Sequence, residues 1–175
     1  LHFLGLLSDG GVHSHIDHLK YLLQSAKENG VKSTVIHVIT DGRDTPPNSG
    51  INYLNQLQDY IDKINYGEII SICGRYYAMD RDKRWDRIKL AYDLYINGKG
   101  EKFEDFNEII SQSYKDKILD EFITPKIKNN RGAINNKDAI ITFNFRSDRM
   151  RQIVSSLIDK NFNYFKTSNK DISIL

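Results

Sequence analysis

The chain has a single cysteine, Cys73, only three prolines, and nearly balanced charge, with 25 Lys plus Arg against 23 Asp plus Glu. One cysteine excludes an internal disulfide framework and fits a reducing compartment, so a cytoplasmic location is expected. In the strand-like run Glu68 to Cys73 the thiol reads as packing rather than as a nucleophile. A formal net charge of +2 carries no global bias toward nucleic acid or membrane surface, so neither is expected as a partner and any anion site must be local. No apolar run has the length of a membrane span or the layout of a secretory signal. Internal repeats and low-complexity tracts are absent too, and 175 residues is the size of one domain with a core of its own.

The sequence opens without Met inside the apolar run Leu1 to Leu7 and stops at Asp171-Ile172-Ser173-Ile174-Leu175, which reads as the start of a strand. The expectation is that residues 1–175 are one domain taken from a longer protein. Ends that both enter a sheet also suit a domain inserted into another.

Short runs rich in Ile, Val, Leu or Phe predict buried strands at Phe3 to Leu7, Ser33 to Ile39, Glu68 to Cys73 and Ala139 to Phe143. Apolar residues spaced by three and four predict helices carrying Ile16 to Ala26, Ile51 to Ile64 and Trp85 to Tyr95. Strand followed by helix, repeated, predicts an α/β fold, a three-layer α/β/α domain with a mostly parallel, possibly mixed sheet. Gly30 stands where a helix C-terminal cap belongs, and Asn48 or Ser49 is placed to cap the second helix after Pro46-Pro47. From Lys99 to Asn136 the pattern loosens, with helical segments expected at Phe106 to Gln112 and Tyr114 to Asp120 and a turn near Asn130-Arg131-Gly132. That stretch reads as a surface connection rather than a cover for a pocket.

Four polar clusters each follow a predicted strand: Ser8 to His15, Asp41 to Asp44, Gly74 to Asp82 and Phe143 to Arg149. Carboxyl ends of parallel strands line one crevice, so junctions bearing Arg43, Arg75, Arg81, Arg146, Arg149, His13 and Asp44 predict a single site for a small polyanion. Arginine suits that task because its planar fork grips phosphate or carboxylate through two parallel hydrogen bonds. Asp44, a carboxylate among guanidinium groups, is the best placed general base. Blander readings stand beside these. Arg43 and Asp44 can form a turn with an internal ion pair, Arg149 can pair with Asp148 or Asp9, and His13 can be a helix-start residue satisfied by backbone. Arg84 and Arg87 read as part of a solvated helix face with pairs such as Asp80 to Arg84. Ser147 or Asp148 is expected to cap the next helix, with Arg149 in its first turn against the helix dipole. Asp9, His13, His15, Asp17 and His18 are all metal-ligand types, but their spacing lacks an i, i+4 histidine pair.

Leu6-Leu7-Ser8-Asp9-Gly10-Gly11-Val12-His13-Ser14-His15, Asp41-Gly42-Arg43-Asp44-Thr45-Pro46-Pro47, Gly74-Arg75-Tyr76-Tyr77-Ala78-Met79-Asp80-Arg81-Asp82-Lys83-Arg84-Trp85 and Asn144-Phe145-Arg146 make the chain resemble the cofactor-independent (2,3-bisphosphoglycerate-independent) phosphoglycerate mutases. The likeness spans nearly the whole chain and is to their substrate-binding, phosphotransferase domain. It implies that His13, Arg43, Asp44, Arg75, Arg81, Arg146 and Arg149 hold the phosphoglycerate, with Asp44 and His13 catalytic. In such enzymes a phosphoryl group passes from the 3-position to a serine on a second, metal-bearing domain and returns to the 2-position of the reoriented glycerate. The resemblance implies no cofactor in this chain, with two manganese or similar divalent ions in the absent metal domain, and an inactive fragment when isolated. Partners implied are 3- or 2-phosphoglycerate and the intramolecular metal domain, in a monomer. Ser147, where the family usually has proline, and Met150, where it has a small residue, are the departures, and neither removes a ligand.

Two other functions compete with the glycolytic isomerase reading. One is a stand-alone phosphometabolite-binding module without catalysis, and the other a metal hydrolase built on Asp9, His13, His15 and His18. Arg75→Ala and Arg146→Ala are both expected to damage activity while leaving the fold intact.

Overall fold

The computed structural model describes residues 1–128, 132–168 and 170–175. Strands β1 (His2–Leu7), β2 (Val35–Thr40), β3 (Glu68–Gly74), β4 (Glu101–Phe103), β5 (Lys126–Lys128), β6 (Ala139–Thr142) and β7 (Ser173–Ile174) form one sheet in the order β4-β5-β3-β2-β1-β6-β7. Every neighbouring pair is parallel except β3 with β5. The α/β sheet is therefore mixed. The chain runs outward from β1 through β2 to β3, then returns to set β6 and β7 on the other side. That reversal makes β1 the topological switch point, and the carboxyl ends of the strands beside it are where a ligand crevice opens.

Among the described residues six α-helices complete the layers: α1 (Ile16–Glu28), α2 (Gly50–Ile64), α3 (Arg75–Ala78), α4 (Trp85–Asn97), α5 (Phe106–Lys115) and α6 (Arg151–Ile158). Leu19, Leu23, Leu54, Leu57 and Ile110 pack on Phe3, Ile36 and Ile72 from one face of the sheet. From the other, Ile88, Ala91, Tyr95 and Ile153 cover Leu4, Ile39 and Cys73. Each such large side chain taken out of water contributes roughly 1.5 to 3 kcal/mol. A bulge between Ile36 and His37 pairs His37 with Ser71 rather than Ile70, which explains why the simple alternation along β3 breaks.

Several expectations need correcting here. The stretch Lys99 to Asn136 is no plain surface connection, because it supplies β4 and β5 and a 3-10 turn at Asp120–Phe122 whose Asp120 is buried. Its strands are too short and too lysine-rich to read as strands in isolation. Tyr114 to Asp120 is not a helix: α5 stops at Lys115, after which Asp120 is drawn inward by three bonds. Its amide donates to the Pro47 carbonyl at 2.9 Å, its Oδ2 accepts the Gly50 amide at 2.7 Å, and its Oδ1 accepts the Tyr114 hydroxyl. Asp120 thus caps α2, whereas Ser49, at the cap position, turns its hydroxyl to the Pro46 carbonyl. Of the expected turn near Asn130-Arg131-Gly132, Asn130 and Arg131 lie outside the described residues, and Gly132 has φ +87°.

A polar chain crosses the core. His2 Nε2 lies 3.1 Å from Asp138 Oδ2, His2 Nδ1 2.9 Å from His37 Nε2, and His37 Nδ1 2.7 Å from Ser71 Oγ. With both rings neutral and protonated on Nε2, each contact has one donor and one acceptor. Burial pushes His37 well below its ordinary pKa of 6.5, and it lowers His2 despite the opposing pull of Asp138. The folded chain therefore binds fewer protons than the unfolded one below that value. This stabilisation is complete above about pH 6.5 and declines as pH falls, by about 1.4 kcal/mol per pH unit for each excluded proton. Urea midpoints measured from about pH 8 to 5 should drop below about 6.5, and His37→Gln should flatten the drop; an unchanged slope in that variant would assign the loss to other groups.

Candidate anion-binding site

β1, β2 and β3 end level with one another, since Leu7 pairs with Thr40 and Thr40 with Gly74. The next residue of each strand, Ser8, Asp41 and Arg75, is buried. Ser8 Oγ donates to Asp41 Oδ2 at 2.7 Å, and Arg75 Nη1 donates to Asp41 Oδ1 at 2.6 Å. Asp41 Oδ1 also accepts the amides of Arg43 and Asp44 at 3.1 and 3.0 Å, so one carboxylate folds the second junction into its turn. Gly42 sits in that turn at φ +75°, where a Cβ would stand 2.9 Å from both Asp120 Cβ and the Glu121 amide. Only glycine meets both demands.

Asp44 and His13 converge on the same guanidinium. Arg75 Nη1 donates to Asp44 Oδ2 at 2.6 Å and Nη2 approaches His13 Nε2 at 3.1 Å, while His13 Nε2 and Asp44 Oδ2 are 3.7 Å apart. Because Arg75 can only donate, His13 Nε2 is the acceptor and the ring proton sits on Nδ1, a buried atom without a hydrogen-bond partner among the described residues. Burial and the adjacent Arg75 charge lower the His13 pKa, which keeps the ring neutral. For Arg75, burial works against the charge, but the bonds to Asp44 and Asp41 outweigh it and raise its pKa. Burial alone would raise Asp41, yet the Asp44 amide, the Ser8 hydroxyl, the Arg43 amide and Arg75 together bring it below the usual carboxylate range.

The remaining clusters close around this centre. The His13 carbonyl accepts the Phe145 amide at 2.9 Å, and Asn144 Oδ1 takes the Leu6 amide at 2.9 Å, tying the fourth junction to the first. α6 starts only at Arg151, and its cap position, Met150, makes no side-chain bond. Ser147 and Asp148 therefore do not cap it, and Arg149 lies in the preceding turn, closed by the Met150 amide bonding to Ser147. Arg43, Arg75, Arg81, Arg84, Arg87 and Arg149 share the wall of one cavity of about 380 Å³, a size suited to a small metabolite. His13 and Asp44 stand behind Arg75, and Arg146 is joined to Arg81 through Asp148, with contacts of 2.9 Å from Arg81 Nη1 and 2.7 Å from Arg146 Nε.

The blander readings fare unevenly. Arg43 and Asp44 do not pair with each other: Arg43 faces Glu121 at 3.4 Å. Asp148 pairs with Arg81 and Arg146 rather than with Arg149. Arg84 binds Asp80 at 2.8 Å as expected, but Arg87 lies over the Tyr76 ring at 3.7 Å. Burial raises the Cys73 pKa strongly and leaves the thiol inert. The metal-ligand types scatter. Asp9 accepts the Tyr53 hydroxyl at 2.5 Å, His15 accepts the Asp17 amide at 3.2 Å, and His18 packs on Phe145. No group of three or more metal-capable side chains occurs among the described residues, so the residues present do not fit a resident ion.

Asp41, Ser8 and Glu121 are site residues that the sequence reading left without a role, and Asp148, expected as a helix cap or a partner of Arg149, instead joins Arg81 to Arg146. Asp41 had a usable signal, since it occupies the same strand-end position as Arg75. Glu121 had none, because it reaches the site through a turn whose path depends on Asp120.

Arg75 is a structural group as well as a candidate ligand. Arg75→Ala leaves Asp41 buried without its cation and should cost about 3 to 5 kcal/mol, in contrast to the intact fold expected from sequence. Arg146, whose side chain is 46% exposed, should cost at most about 1 kcal/mol when truncated. Guanidinium denaturation of both variants checks the contrast; equal losses would mean that Arg75 is not the strut described. Gly74→Ala should cost about 1 to 3 kcal/mol by overpacking, since a Cβ there would stand 2.3 Å from the Glu121 carbonyl oxygen.

The sequence profile described as BPG-independent PGAM N-terminus matches residues 1–175. A relative from Clostridioides difficile (strain 630), named 2,3-bisphosphoglycerate-independent phosphoglycerate mutase, is 51% identical over 170 residues, covering 95% of this chain and 33% of its own length. One of the same name from Clostridium tetani (strain Massachusetts / E88) is 47% identical, with 100% of this chain and 35% of the relative covered. The solved structure of Leishmania mexicana phosphoglycerate mutase at low cobalt concentration superposes with a TM-score of 0.92 at 28% identity, over 99% of this chain and 34% of that one. The chain thus spans about a third of the length of the relatives it matches. By a match over its whole length, it belongs to the family described as BPG-independent PGAM N-terminus.

Proposed function

We propose that this chain is the substrate-holding part of a phosphoglycerate mutase that interconverts 3- and 2-phosphoglycerate through a phosphoserine carried elsewhere in a longer, two-domain protein. The observation that carries the reading is the gathering of Arg43, Arg75, Arg81 and Arg149 on one cavity, with the Asp44–Arg75–His13 cluster at its wall. A phosphoglycerate carries about three negative charges, and phosphoryl transfer depends mainly on positioning and charge stabilisation. Forked arginines on separate loops supply both. Divalent metal ions, manganese or similar, belong on this reading to the rest of the protein, and no donor set is gathered among the described residues here.

Within this chain, Arg43, Arg81, Arg146 and Arg149 hold the anionic ends of the substrate, and Arg75 orients Asp44 and His13. Asp44 is half-buried at the end of its turn, placed to take a proton from a substrate hydroxyl and return it. His13, bonded to Arg75 through Nε2, is assigned on this reading to contact with the phosphoryl group or to help with proton transfer. A stand-alone binding module is disfavoured by the share of the relatives' length that the chain spans.

The full-length protein supplied with manganese is expected to convert 3- to 2-phosphoglycerate, and the 175-residue chain alone is not. Robust turnover by the isolated chain would refute the division between domains. In the full-length protein, Asp44→Asn should lower kcat by about 10²- to 10⁴-fold with little change in KM. A raised KM at unchanged kcat would make Asp44 a ligand and not the base.

A further inference from the structure

The arginines around the cavity differ in how their charge is balanced. Arg75 is locked by the buried Asp41 and by Asp44, Arg84 by Asp80 and Asp82, and Arg43 faces Glu121. Arg87 stands 3.9 Å from Asp80 and over the Tyr76 ring. Arg149 has no carboxylate within ion-pair distance among the described residues. Its Nη1 reaches only the Met79 carbonyl at 3.4 Å, and its Nε has no hydrogen-bond partner. The Arg81–Asp148–Arg146 set is a third kind, since one carboxylate serves two guanidinium groups from different junctions.

We infer that Asp148 is an exchangeable internal anion, which holds Arg81 and Arg146 together until a phosphoryl group takes its place. The geometry is that of a ligand. Oδ2 accepts from Arg81 Nη1 at 2.9 Å and from Arg146 Nη2 at 3.1 Å, while Arg146 Nε stands 2.7 Å from Oδ1 as an ion contact. The bonds join the loop after β3 to the loop after β6 across the switch point. They are also partly accessible: the Arg81 and Arg146 side chains are each 46% exposed and that of Asp148 29%, with its Oδ1 turned inward and buried. Exposed pairs of this kind are worth about 0.2 to 1 kcal/mol each, so an incoming anion can break them. The buried Arg75 pairs cannot be exchanged so cheaply.

A specificity follows from the charge count. A carboxylate that displaces Asp148 replaces one single charge by another and gains little. A phosphoryl dianion brings a second charge and a third oxygen, enough to engage the unpaired Arg149 as well. The cost of displacing Asp148 is common to both anions, so the preference for the phosphoryl end comes from the extra charge and oxygen available to Arg149, while Asp148 screens out anions too weak to displace it. This rests on reading the cavity as a phosphoryl site.

The test titrates the 175-residue chain with inorganic phosphate at about pH 8, where phosphate is a dianion, and separately with acetate. Ionic strength is held constant, the fold is checked by circular dichroism, and binding is followed by nuclear magnetic resonance. Asp148→Asn and Asp148→Ala should each bind phosphate about five-fold more tightly than the wild type, and any acetate bound at the same arginines should tighten by a similar factor. Unchanged or weaker phosphate binding in the two variants overturns the inference, as does failure of all three proteins to bind phosphate. Absence of mutase turnover in the full-length protein, with the tightening intact, would remove the proposed function and leave the exchangeable clamp standing.

Discussion

Arg75 carries a full charge out of water just beyond the end of the interior strand β3, and the site is built around the need to satisfy it. Its guanidinium is buried, yet Asp41 and Asp44 each bond it at 2.6 Å and His13 takes another of its protons. Leaving any of these donors unmet in a low-dielectric interior would cost several kcal/mol, so the surrounding loops are fixed by it. Asp41 in turn spends one oxygen on two amides of its own turn. A single buried ion cluster therefore sets the backbone of one junction and the ring of another before a ligand arrives, which is the preorganisation that charge stabilisation requires.

Compensation weakens from that centre toward the mouth. Arg75 is held by buried carboxylates, Arg81 and Arg146 by a partly exposed one, and Arg149 by none among the described residues. Like charge from Arg81, Arg75 and Arg43 adds to burial in lowering the Arg149 pKa, a local conflict that an anion would relieve. Rigid groups thus lie deepest and displaceable ones at the rim. That order lets a ligand be caught at the surface without disturbing the fold beneath it.

The central fold was legible because its signals are local. Runs such as Val35 to Ile39 and the stripes of Leu19, Leu23, Leu54 and Leu57 report burial directly through period two or period three to four. The seven candidate residues come near one another for a related reason: they lie at or in the loops after strand ends, and topology brings strand ends together. The edge strand β4 and its neighbour β5 were not legible, because strands of three residues, each containing lysine, carry no periodic pattern. The start of α6 was misplaced for a different reason. Ser147 and Asp148 are good cap residues, but Asp148 is committed to two arginines, and a tertiary ion pair outweighed the local preference.

The misread segment turns out to underlie the site. Asp120 caps α2 through the Gly50 amide, accepts the Thr40 hydroxyl on its carbonyl, and presses against Gly42. Glu121 abuts Gly74 so closely that no side chain fits there, and the Gly74 amide donates to the Ile123 carbonyl at 2.7 Å. The turn at Asp120–Phe122 therefore touches the ends of β2 and β3 at the two points where Asp44 and Arg75 leave the sheet. Burial raises the Asp120 pKa even as the Tyr114 hydroxyl and the Gly50 amide favour its charged form, so its position is held by hydrogen bonds rather than by a cation. The segment thus fixes the floor of the pocket through hydrogen bonds and close backbone contacts, and the carboxylate it brings to the wall, Glu121, faces Arg43 at 3.4 Å and leaves Arg149 to the ligand.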